Sequence, residues 1–332
     1  MSYVANQNRY ENMIYKYSGN SGLKLPLISL GLWHNFSKVD SYYNMVDMIT
    51  SAFDMGITHF DIANNYGMPY PGSAEINFGK ILKNELSSHR DDIIISTKAG
   101  YFMRSGPYGD YGSRKSLISS LDASLKRMGI DYVDIFYHHR MDPDTPLSET
   151  MGALKDIVRS GKALYVGLSN YDAKTAEKAY KMLEEMGVHC LIHQVRCSLL
   201  DRHIIDDGTL DITNKNKVGT IVFSPLYQGI LSDKYINGIP KNSRVANPNA
   251  YISKEHLTED VMNKVINLNE IAKERNQTLS QMAISWLISC VGVTSVLVGA
   301  SSASQIKENV SSTKNLRFTK DEIDKIEEII KR

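Results

Sequence analysis

The sequence lacks an excess of charge of either sign and contains little cysteine. Lys and Arg together number 38 and Asp and Glu 37, giving a net charge of +1 in 332 residues. Because acids and bases are interspersed, no broad basic field is available to bind a nucleic acid or an anionic membrane. The three cysteines, Cys190, Cys197 and Cys290, are odd in number and lack metal-ligand spacing. We therefore expect reduced, mostly buried thiols and no metal site.

The distribution of apolar and polar residues predicts neither a signal peptide nor a membrane span. Residues 1–15 contain scattered polar residues and no apolar stretch followed by small residues. The segment from Asn276 to Ile306 has no charged residue, but serines, a threonine and a glycine interrupt it. It is better interpreted as a helix through Trp286, a turn at Gly292 and a buried strand from Ser295 to Val298. We expect a cytoplasmic protein.

Short apolar runs rich in Ile, Val and Leu recur along the chain. Most of them begin roughly 30 to 40 residues after the previous one, which is the length that a βαβ unit needs. Because their hydrophobicity is continuous rather than alternating, they are typical of parallel strands covered on both faces. The eight predicted strands are Leu27–Leu32, Ile57–Ile62, Ile93–Thr97, Tyr132–Tyr137, Ala163–Leu168, Cys190–Val195, Thr220–Phe223 and Ser295–Val298.

Segments of helical periodicity separate these runs. In the segment from Ser116 to Met128, four apolar residues share one face of a predicted helix: Leu117, Leu121, Leu125 and Met128. The segments from Glu149 to Arg159 and from Asp172 to Met186 divide in the same way into an apolar and a polar face. The chain therefore alternates strands and helices throughout.

The dinucleotide-binding signature of a doubly wound sheet is absent. That fold carries G-x-G-x-x-G directly after its first strand, whereas here Leu30 is followed by Gly31, Leu32, Trp33, His34 and Asn35. Eight units without this loop favour an α/β fold of the (β/α)₈ TIM-barrel type. Such barrels commonly occupy about 250 residues or more, so residues 1–332 are predicted to form a single domain.

Two further features flank the eight units. Ile14–Tyr17 and Leu23–Leu25 flank the turn-forming segment Ser18–Gly22 and predict an N-terminal β-hairpin that could close the bottom of the barrel. After the seventh strand, the segment from Tyr227 to Tyr251, with glycines and Pro248, predicts a long loop. Long loops in compact domains are usually functional, so this one is a candidate lid over a ligand.

Polar residues stand where the predicted strands end, and active sites of barrels form at those ends. Each has a simpler interpretation: Asp61 could cap a helix, Lys98 could be a surface charge, and Tyr66 is one of 19 tyrosines. We favour the joint interpretation, because an acid, a cation, a phenol and an imidazole from consecutive strands would converge on one pocket. The residues are Asp61, Tyr66, Lys98, His138, His139, Ser169, Asn170 and Gln194.

This combination suits the reduction of a carbonyl group. Hydride arriving at the carbonyl carbon leaves negative charge on the oxygen, which must be protonated or hydrogen-bonded as it develops. A phenol with a pKa of about 10 is a weak acid near neutral pH, but a neighbouring ammonium at Lys98 would lower the pKa of Tyr66. Asp61 would keep Lys98 charged and oriented. A neutral His139 could donate a hydrogen bond to the same substrate oxygen.

At these residues the sequence resembles the aldo-keto reductase family. The matching stretches are 56–67, 96–98, 132–140 and 167–171, and the resemblance spans nearly the whole chain. It implies that Asp61, Tyr66, Lys98 and His139 form the catalytic tetrad. Adjacent residues of a strand face opposite sides, and the match over 133–140 selects His139, which leaves His138 a structural role.

The resemblance also implies NADPH/NADP⁺ as the cofactor. Ser169, Asn170 and Gln194 would bind the nicotinamide carboxamide, and the ring of Phe223 would stack on the nicotinamide. Lys234 and Arg244 match positions that pair with the 2′-phosphate, for which the forked donors of arginine are suited. The remaining expected cofactor contacts are Trp33, Asp61, Ser224, Pro225, Leu226, Gln228, Gly229, Leu231, Gly299, Ser301, Gln305, Glu308 and Asn309.

The last of these residues also have a physical basis for binding phosphate. In barrels, a phosphate site commonly forms after strands seven and eight, at the N-terminus of a short helix whose free N–H groups face the anion. The simpler interpretation of this segment is an ordinary helix cap at Ser301 or Ser302.

Two branches of the family resemble this chain in the loop from Leu231 to Pro240: bacterial glyceraldehyde 3-phosphate reductases, which also reduce methylglyoxal, and potassium channel β subunits. We favour the reductase, because channel subunits often replace the tetrad histidine whereas His139 is present here. The alternative is a regulatory subunit that binds NADPH. The expected partner is a small aldehyde contacted by Trp33, Tyr66 and His139, with Tyr101, Phe102 and Arg140 as further candidates, and a homo-oligomer is possible on this resemblance.

Overall fold

The computed structural model describes residues 3–241, 243–246 and 252–331. Eight parallel strands close into a barrel in the order β10-β3-β4-β5-β6-β7-β8-β9, with helices packed around it. The predicted (β/α)₈ fold is thereby confirmed. The barrel strands are β3 (Ile28–Gly31), β4 (His59–Asp61), β5 (Ile94–Ala99), β6 (Val133–His138), β7 (Ala163–Ser169), β8 (Cys190–Arg196), β9 (Gly219–Phe223) and β10 (Val293–Val298).

The helices follow the strands as a βαβ repeat requires. Two helices, α8 and α9, stand between β9 and β10, where the sequence has its longest interval between strands. The described helices are α1 (Tyr42–Asp54), α2 (Ser73–Glu85), α3 (Arg114–Met128), α4 (Leu147–Arg159), α5 (Ala173–Glu185), α6 (His203–Asp206), α7 (Thr209–Lys215), α8 (Glu259–Glu274), α9 (Leu279–Ser289), α10 (Ala303–Ser311) and α11 (Lys320–Lys331).

Local sequence signals explain where a helix such as α3 begins and ends. The Ser113 hydroxyl accepts a hydrogen bond from the Ser116 backbone N–H, so the helix starts two residues before the predicted Ser116. At the other end, Gly129 adopts a left-handed conformation with φ of 68° and terminates the helix. All four leucine and methionine residues predicted on one face are buried.

Continuous apolar strands supply two separate cores. Along β6, Ile135 and Tyr137 point into the barrel, where they join a cluster with Leu25 and Leu191. The alternate residue Phe136 belongs to the larger core between strands and helices. Burial on both faces is the reason why these strands lack hydrophobic alternation.

An antiparallel hairpin closes the N-terminal end of the barrel, as predicted. It consists of β1 (Tyr15–Tyr17) and β2 (Lys24–Pro26). Leu25 is fully buried in the interior cluster, and the Ser18 hydroxyl donates to the Leu191 carbonyl oxygen at 3.2 Å. The candidate active site lies at the opposite end of the barrel, which is formed by the carboxyl ends of the strands.

The uncharged segment from Asn276 to Ile306 folds as the sequence indicated. It contains α9, β10 and the beginning of α10. In the part of the chain that the structure describes, no helix is long and apolar enough to cross a membrane.

The loop between β9 and α8 is built of short 3₁₀ turns in its described part. Those turns are Tyr227–Gly229, Asp233–Tyr235, Arg244–Ala246 and Lys254–His256. Pro248 and Tyr251, which the sequence analysis included in this loop, lie outside the described residues.

Candidate active site

The four predicted catalytic residues meet at the carboxyl ends of three neighbouring strands. Asp61 is the last residue of β4, Lys98 is the fifth residue of β5, and His139 directly follows β6. Tyr66 lies five residues beyond Asp61, in a tight turn whose Tyr66 N–H donates to the Ala63 carbonyl oxygen at 3.1 Å. Since adjacent strands carry the first three, closure of the barrel brings all four side chains together.

Lys98 is the centre of this group. Its side chain is fully buried, and its ammonium donates to Oδ2 of Asp61, to the Ile62 carbonyl oxygen at 2.7 Å and to the Tyr66 hydroxyl at 3.4 Å. An ammonium has three N–H groups, so each of them has one acceptor. Because the Tyr66 oxygen accepts from Lys98, its own hydrogen is left to point at another group.

Burial opposes the charged forms of the two central groups. It lowers the pKa of Lys98, whereas the Asp61 carboxylate acts in the opposite direction. It raises the pKa of Tyr66 well above 10, and the negative charge of Asp61 adds to that rise. The expectation that Lys98 would lower the pKa of Tyr66 is therefore not met, because desolvation by burial has the largest effect on this pKa and raises it.

His139 is a neutral imidazole on the other side of Tyr66. Burial lowers its pKa well below 6.5, and the nearby positive charge of Lys98 acts in the same direction. Its ring centroid lies 5.9 Å from that of Tyr66 and 4.6 Å from that of Tyr101, in edge-on arrangements. Its buried Nδ1 has no hydrogen-bond partner among the described residues.

His138 faces away from this group. Its Nδ1 forms a 2.6 Å hydrogen bond with the Tyr171 hydroxyl, on the side where the helices pack. Burial lowers the pKa of His138 to about 4, so this imidazole is also neutral. The opposite orientation of His138 and His139 follows from the alternation of side chains along an extended strand.

The second carboxylate oxygen of Asp61 is held from two further strands. Oδ1 accepts from the Ser96 hydroxyl at 2.7 Å and from Nε2 of Gln194 at 3.0 Å. Gln194 was predicted to bind a nicotinamide carboxamide, and here its amide N–H donates to Asp61. Ser96 lies in the stretch 96–98 that carries the family resemblance, but its contact with Asp61 was not predicted.

Ser169 and Asn170 stand together at the end of β7. Ser169 is fully buried, and Asn170 has a left-handed φ of 55°. The Asn170 amide donates to the His139 carbonyl oxygen at 3.0 Å and to the Ser169 hydroxyl at 3.1 Å. The polar side chains of Ser169 and Asn170 therefore lie next to His139.

Aromatic and cationic residues contact one another around the mouth of the barrel. The Trp33 ring lies 6.4 Å from that of Tyr66 and stacks on His34. The Arg140 guanidinium lies between the rings of Tyr101 and Tyr111, at 4.5 and 4.4 Å, and pairs with Asp110 at 2.7 Å. Phe102 is 59% exposed, so it contributes little to the enclosed part of the mouth.

The expected cofactor contacts from Phe223 to Leu231 begin where β9 ends. Phe223 is its last residue, and Ser224, Tyr227 and Gln228 have positive φ values. The Arg244 guanidinium reaches the side-chain oxygen of Gln228 at 3.4 Å, which joins the two parts of the loop. Lys234 is exposed, and the other predicted residues, Pro225, Leu226, Gly229 and Leu231, lie in the same segment.

The predicted phosphate-binding segment follows β10. Ser302 caps α10 by accepting from the Gln305 N–H, as in the simpler interpretation, while the Ser301 N–H donates to the Gln305 side chain at 2.8 Å. Glu308 accepts from the Thr278 hydroxyl, and Asn309 is buried. Within the described residues, no hydrogen bond or ion pair joins this segment to the loop that carries Arg244.

Similarity to known proteins extends over almost the whole chain. Residues 27–331 match the model of the Aldo/keto reductase family. The chain belongs to this family. It is 51% identical over 333 aligned positions to the L-glyceraldehyde 3-phosphate reductase of Escherichia coli K12, covering 99% of this chain and 96% of that protein.

More distant relatives of this aldo-keto reductase include channel subunits. It is 35% identical to a probable voltage-gated potassium channel subunit beta of Arabidopsis thaliana, over 96% of this chain and 97% of that one. Among solved structures, the thermostable aldo-keto reductase Tm1743 in complex with the inhibitor epalrestat matches with a TM-score of 0.76. The two are 28% identical, and the match covers 96% of this chain and 100% of that chain.

The aldo-keto reductase family generally uses NAD(P)H, and the residues at the mouth fit such a cofactor. A Cβ added to Gly229 or Gly299 would meet no atom within 4 Å, so there is open space beside the backbone after both β9 and β10. The exposed cations Lys234 and Arg244 are donors of the kind that a phosphate needs. The chain is an oxidoreductase by its family, and the open space beside these two glycines lies at the carboxyl ends of its strands.

Proposed function

We propose that this protein reduces small aldehydes to alcohols with NADPH, and that Tyr66 donates the proton. The observation that carries the proposal is the position of the Tyr66 hydroxyl. It accepts from the Lys98 ammonium at 3.4 Å, which leaves its hydrogen free, and the neutral ring of His139 lies beside it. A phenol and an imidazole N–H can then converge on one carbonyl oxygen.

In this proposal each residue has a separate task. When bound, the reduced nicotinamide supplies the hydride that adds to the carbonyl carbon. Tyr66 gives its proton to the carbonyl oxygen, and Lys98 stabilises the phenolate that remains. His139 orients the substrate oxygen by donating a hydrogen bond, which it can do because burial keeps the ring neutral. Asp61 holds Lys98 in place.

The cofactor contacts are proposed on the same basis. Ser169, Asn170 and Gln194 would hold the carboxamide, and the exposed Lys234 and Arg244 would favour NADPH over NADH by pairing with its 2′-phosphate. For Gln194 this means that one amide serves two partners, since its N–H already donates to Asp61.

The proposed substrates are glyceraldehyde 3-phosphate and methylglyoxal. The 51% identical relative is named for reduction of the first of these, and both are small aldehydes. The three cysteines are free thiols, which suits the cytoplasmic location that we propose.

The decisive experiment is a panel of aldehydes assayed at fixed NADPH by the loss of the reduced cofactor. We expect multiple turnovers with methylglyoxal and L-glyceraldehyde 3-phosphate, and faster consumption of NADPH than of NADH. Cofactor binding followed by a single turnover at most would instead support the second candidate, an NADPH-binding regulatory subunit. That candidate rests on the 35% identity to a channel subunit, whereas the complete set of Asp61, Tyr66, Lys98 and His139 favours the enzyme.

A further inference from the structure

A line of polar side chains crosses the interior of the barrel beneath the site. Ser295 of β10, Ser29 of β3, His59 of β4 and Ser96 of β5 come from four strands that are consecutive around the barrel. All four residues are at most 1% exposed. The rest of this interior is largely filled by apolar groups such as Leu25 and Ile135.

Each neighbouring pair in this line is joined by a hydrogen bond. The hydroxyls of Ser295 and Ser29 are 2.7 Å apart, and the Ser29 hydroxyl lies 2.9 Å from Nδ1 of His59. Nε2 of His59 lies 2.9 Å from the Ser96 hydroxyl, which in turn donates to Oδ1 of Asp61 at 2.7 Å. Asp61 and Ser96 are also direct partners in the strand register.

Asp61, at the end of this line, fixes the direction of each of these hydrogen bonds. The Asp61 carboxylate only accepts, so the single hydrogen of Ser96 is used on it and Ser96 must accept from His59. Burial lowers the pKa of His59 to about 4, so the ring is neutral and carries its one hydrogen on Nε2. Nδ1 must then accept from Ser29, and Ser29 must accept from Ser295.

We propose that His59 and Ser96 are positioning residues, which hold the carboxylate of Asp61 through hydrogen bonds whose donors all point toward it. The inference rests on the proposed function, because it assigns these residues a task within the proposed proton donation. Consecutive hydrogen bonds that point in one direction polarise one another, and in a low-dielectric interior this polarisation strengthens each hydrogen bond.

The hydrogen bonds on Asp61 affect the pKa of Tyr66 through Lys98. Donors on Oδ1 fix the rotation of the carboxylate and disperse its negative charge. With them removed, Asp61 would neutralise more of the positive charge that Lys98 presents to Tyr66. The pKa of Tyr66 would then rise further, in the direction in which Asp61 already acts.

The other titratable groups that act on this set come from several elements. Glu75 of α2 acts on Lys98, Tyr101 acts on Tyr66, and the charge of Asp61 is felt by Tyr137 of β6. Asp61 and Lys98 are the charged groups that act on the pKa of His59. Among the described residues, the other three groups have no hydrogen bond to His59, so substitutions along this line of side chains leave them in place while changing the hydrogen bonds on Asp61.

The first test is the substitution Ser96→Ala, assayed for aldehyde reduction over a range of pH. A hydrogen bond to a charged group contributes enough free energy that we expect kcat to fall about tenfold. The alkaline limb of the pH profile should move to higher pH, and the Kd for NADPH should stay unchanged. Equal pH profiles for Ser96→Ala and the wild type would overturn the proposal.

A conservative pair separates positioning from packing at His59. The amide of His59→Gln can replace the Nε2 donor to Ser96, whereas the shorter His59→Asn cannot reach it. We expect His59→Gln to retain most of kcat and the wild-type pH profile. His59→Asn should shift the profile in the same direction as Ser96→Ala but by less, because Ser96 still donates to Asp61. If both variants fold and lose activity equally with no change in the pH profile, His59 only fills space.

A matched pair of hydroxyl deletions controls for the loss of a buried hydrogen bond. Ser29→Ala removes the partner of Nδ1 in His59, and Tyr180→Phe removes the partner of Nδ1 in His193, which lies 2.6 Å from the Tyr180 hydroxyl. Only Ser29→Ala should shift the pH profile, in the same direction as Ser96→Ala. A shift of similar size in Tyr180→Phe would contradict the inference.

The direction of these hydrogen bonds can be measured without an activity assay. Nitrogen NMR of the folded protein distinguishes the two neutral tautomers, and the signals of His59 are assigned by their loss in His59→Gln. We expect the hydrogen on Nε2, and a hydrogen on Nδ1 would refute the assigned direction.

The failure of the proposed function and the failure of the positioning role are distinguishable. If wild-type turnover is absent or Tyr66→Phe remains active, the proposed function fails. An active wild type with an unaffected Ser96→Ala contradicts only the positioning role.

Discussion

Gln194 donates a hydrogen bond to Asp61 across 3.0 Å, although 133 positions separate the two residues along the chain. β8 carries Gln194 and β4 carries Asp61, so the contact spans the interior of the closed barrel. A residue expected at the cofactor thus also orients the carboxylate that holds Lys98. Cofactor binding and proton donation share this amide in the proposed mechanism.

Replacement of Tyr66 by Phe tests the proposed proton donor. The change removes the hydroxyl 3.4 Å from Lys98 but keeps the ring beside Trp33 and His139. General acids contribute roughly 10²- to 10⁴-fold, so we expect aldehyde reduction to fall about a hundredfold or more. The Kd for NADPH should stay close to that of the wild type. Near-normal turnover would mean that another group supplies the proton.

Replacement of Lys98 by Met tests the electrostatic part of the site. Reduction requires the protonated phenol, so the rate declines as the pH rises through the pKa of Tyr66, which burial already raises. Without the ammonium this pKa rises further. The decline should therefore move to higher pH, while the maximal rate falls because the phenol is a weaker acid.

The stability of this variant needs its own control. Lys98→Met leaves Asp61 as a buried carboxylate without its ion-pair partner, which costs about 3–5 kcal/mol. The double variant Asp61→Asn/Lys98→Met removes both charges and should recover part of that loss in urea denaturation. It should not recover activity. An unchanged pH profile in Lys98→Met would show that Lys98 does not act on Tyr66.

The sequence was sufficient to predict the barrel and to select the four catalytic candidates. Strands such as Val133–His138 are buried on both faces, and this produces the uninterrupted apolar runs that identify them. Asp61, Lys98 and His139 are polar residues at the ends of such runs, where a barrel places its active site.

Other features depend on which strands become neighbours on closure, and a single sequence does not contain that information. His59 and Ser96 lie inside the stretches that carry the family resemblance, but serine and histidine in a strand are weak signals by themselves. Only the three-dimensional contacts with Ser29 and Asp61 show their connection. The pKa of Tyr66 was mispredicted for a similar reason, because desolvation depends on packing from all sides.

Buried neutral histidines should make the protein sensitive to mild acid. Burial lowers the pKa of His59 and His138 to about 4 and that of His193 to about 3, from 6.5. Below pH 6.5 the unfolded chain binds protons that the folded protein does not, so stability is lost as the pH falls from 6.5 toward 4. Each such histidine contributes up to about 1.4 kcal/mol per pH unit to the slope.

The free energy of unfolding, measured by urea denaturation between pH 7 and 5, tests this expectation. His193→Asn removes one titrating group and should reduce the slope by up to about 1.4 kcal/mol per pH unit, whatever its effect on stability at neutral pH. The exposed His256 supplies the control substitution, His256→Asn. A slope that is the same in His193→Asn and the wild type would contradict the prediction.

The last prediction concerns the preference for NADPH, which we assign to Arg244 and Lys234. A charged hydrogen bond to the 2′-phosphate contributes roughly 1.5 to 3 kcal/mol. Arg244→Ala should therefore weaken NADPH binding by about ten- to a hundredfold, while NADH, which lacks this phosphate, should be little affected. The measurement is the Kd of each cofactor at two ionic strengths, and the preference should shrink as salt is added.

The contact between Arg244 and Gln228 makes a second variant necessary. Because the guanidinium lies 3.4 Å from the Gln228 side-chain oxygen, Arg244→Ala removes a loop contact as well as a charge. Arg244→Gln removes the charge but keeps an N–H donor that can face Gln228. If the charge selects the cofactor, both variants lose affinity for NADPH alone. If Arg244 only holds the loop, Arg244→Ala weakens both cofactors equally and Arg244→Gln weakens neither, and a wild-type preference for NADH would exclude the NADPH assignment itself.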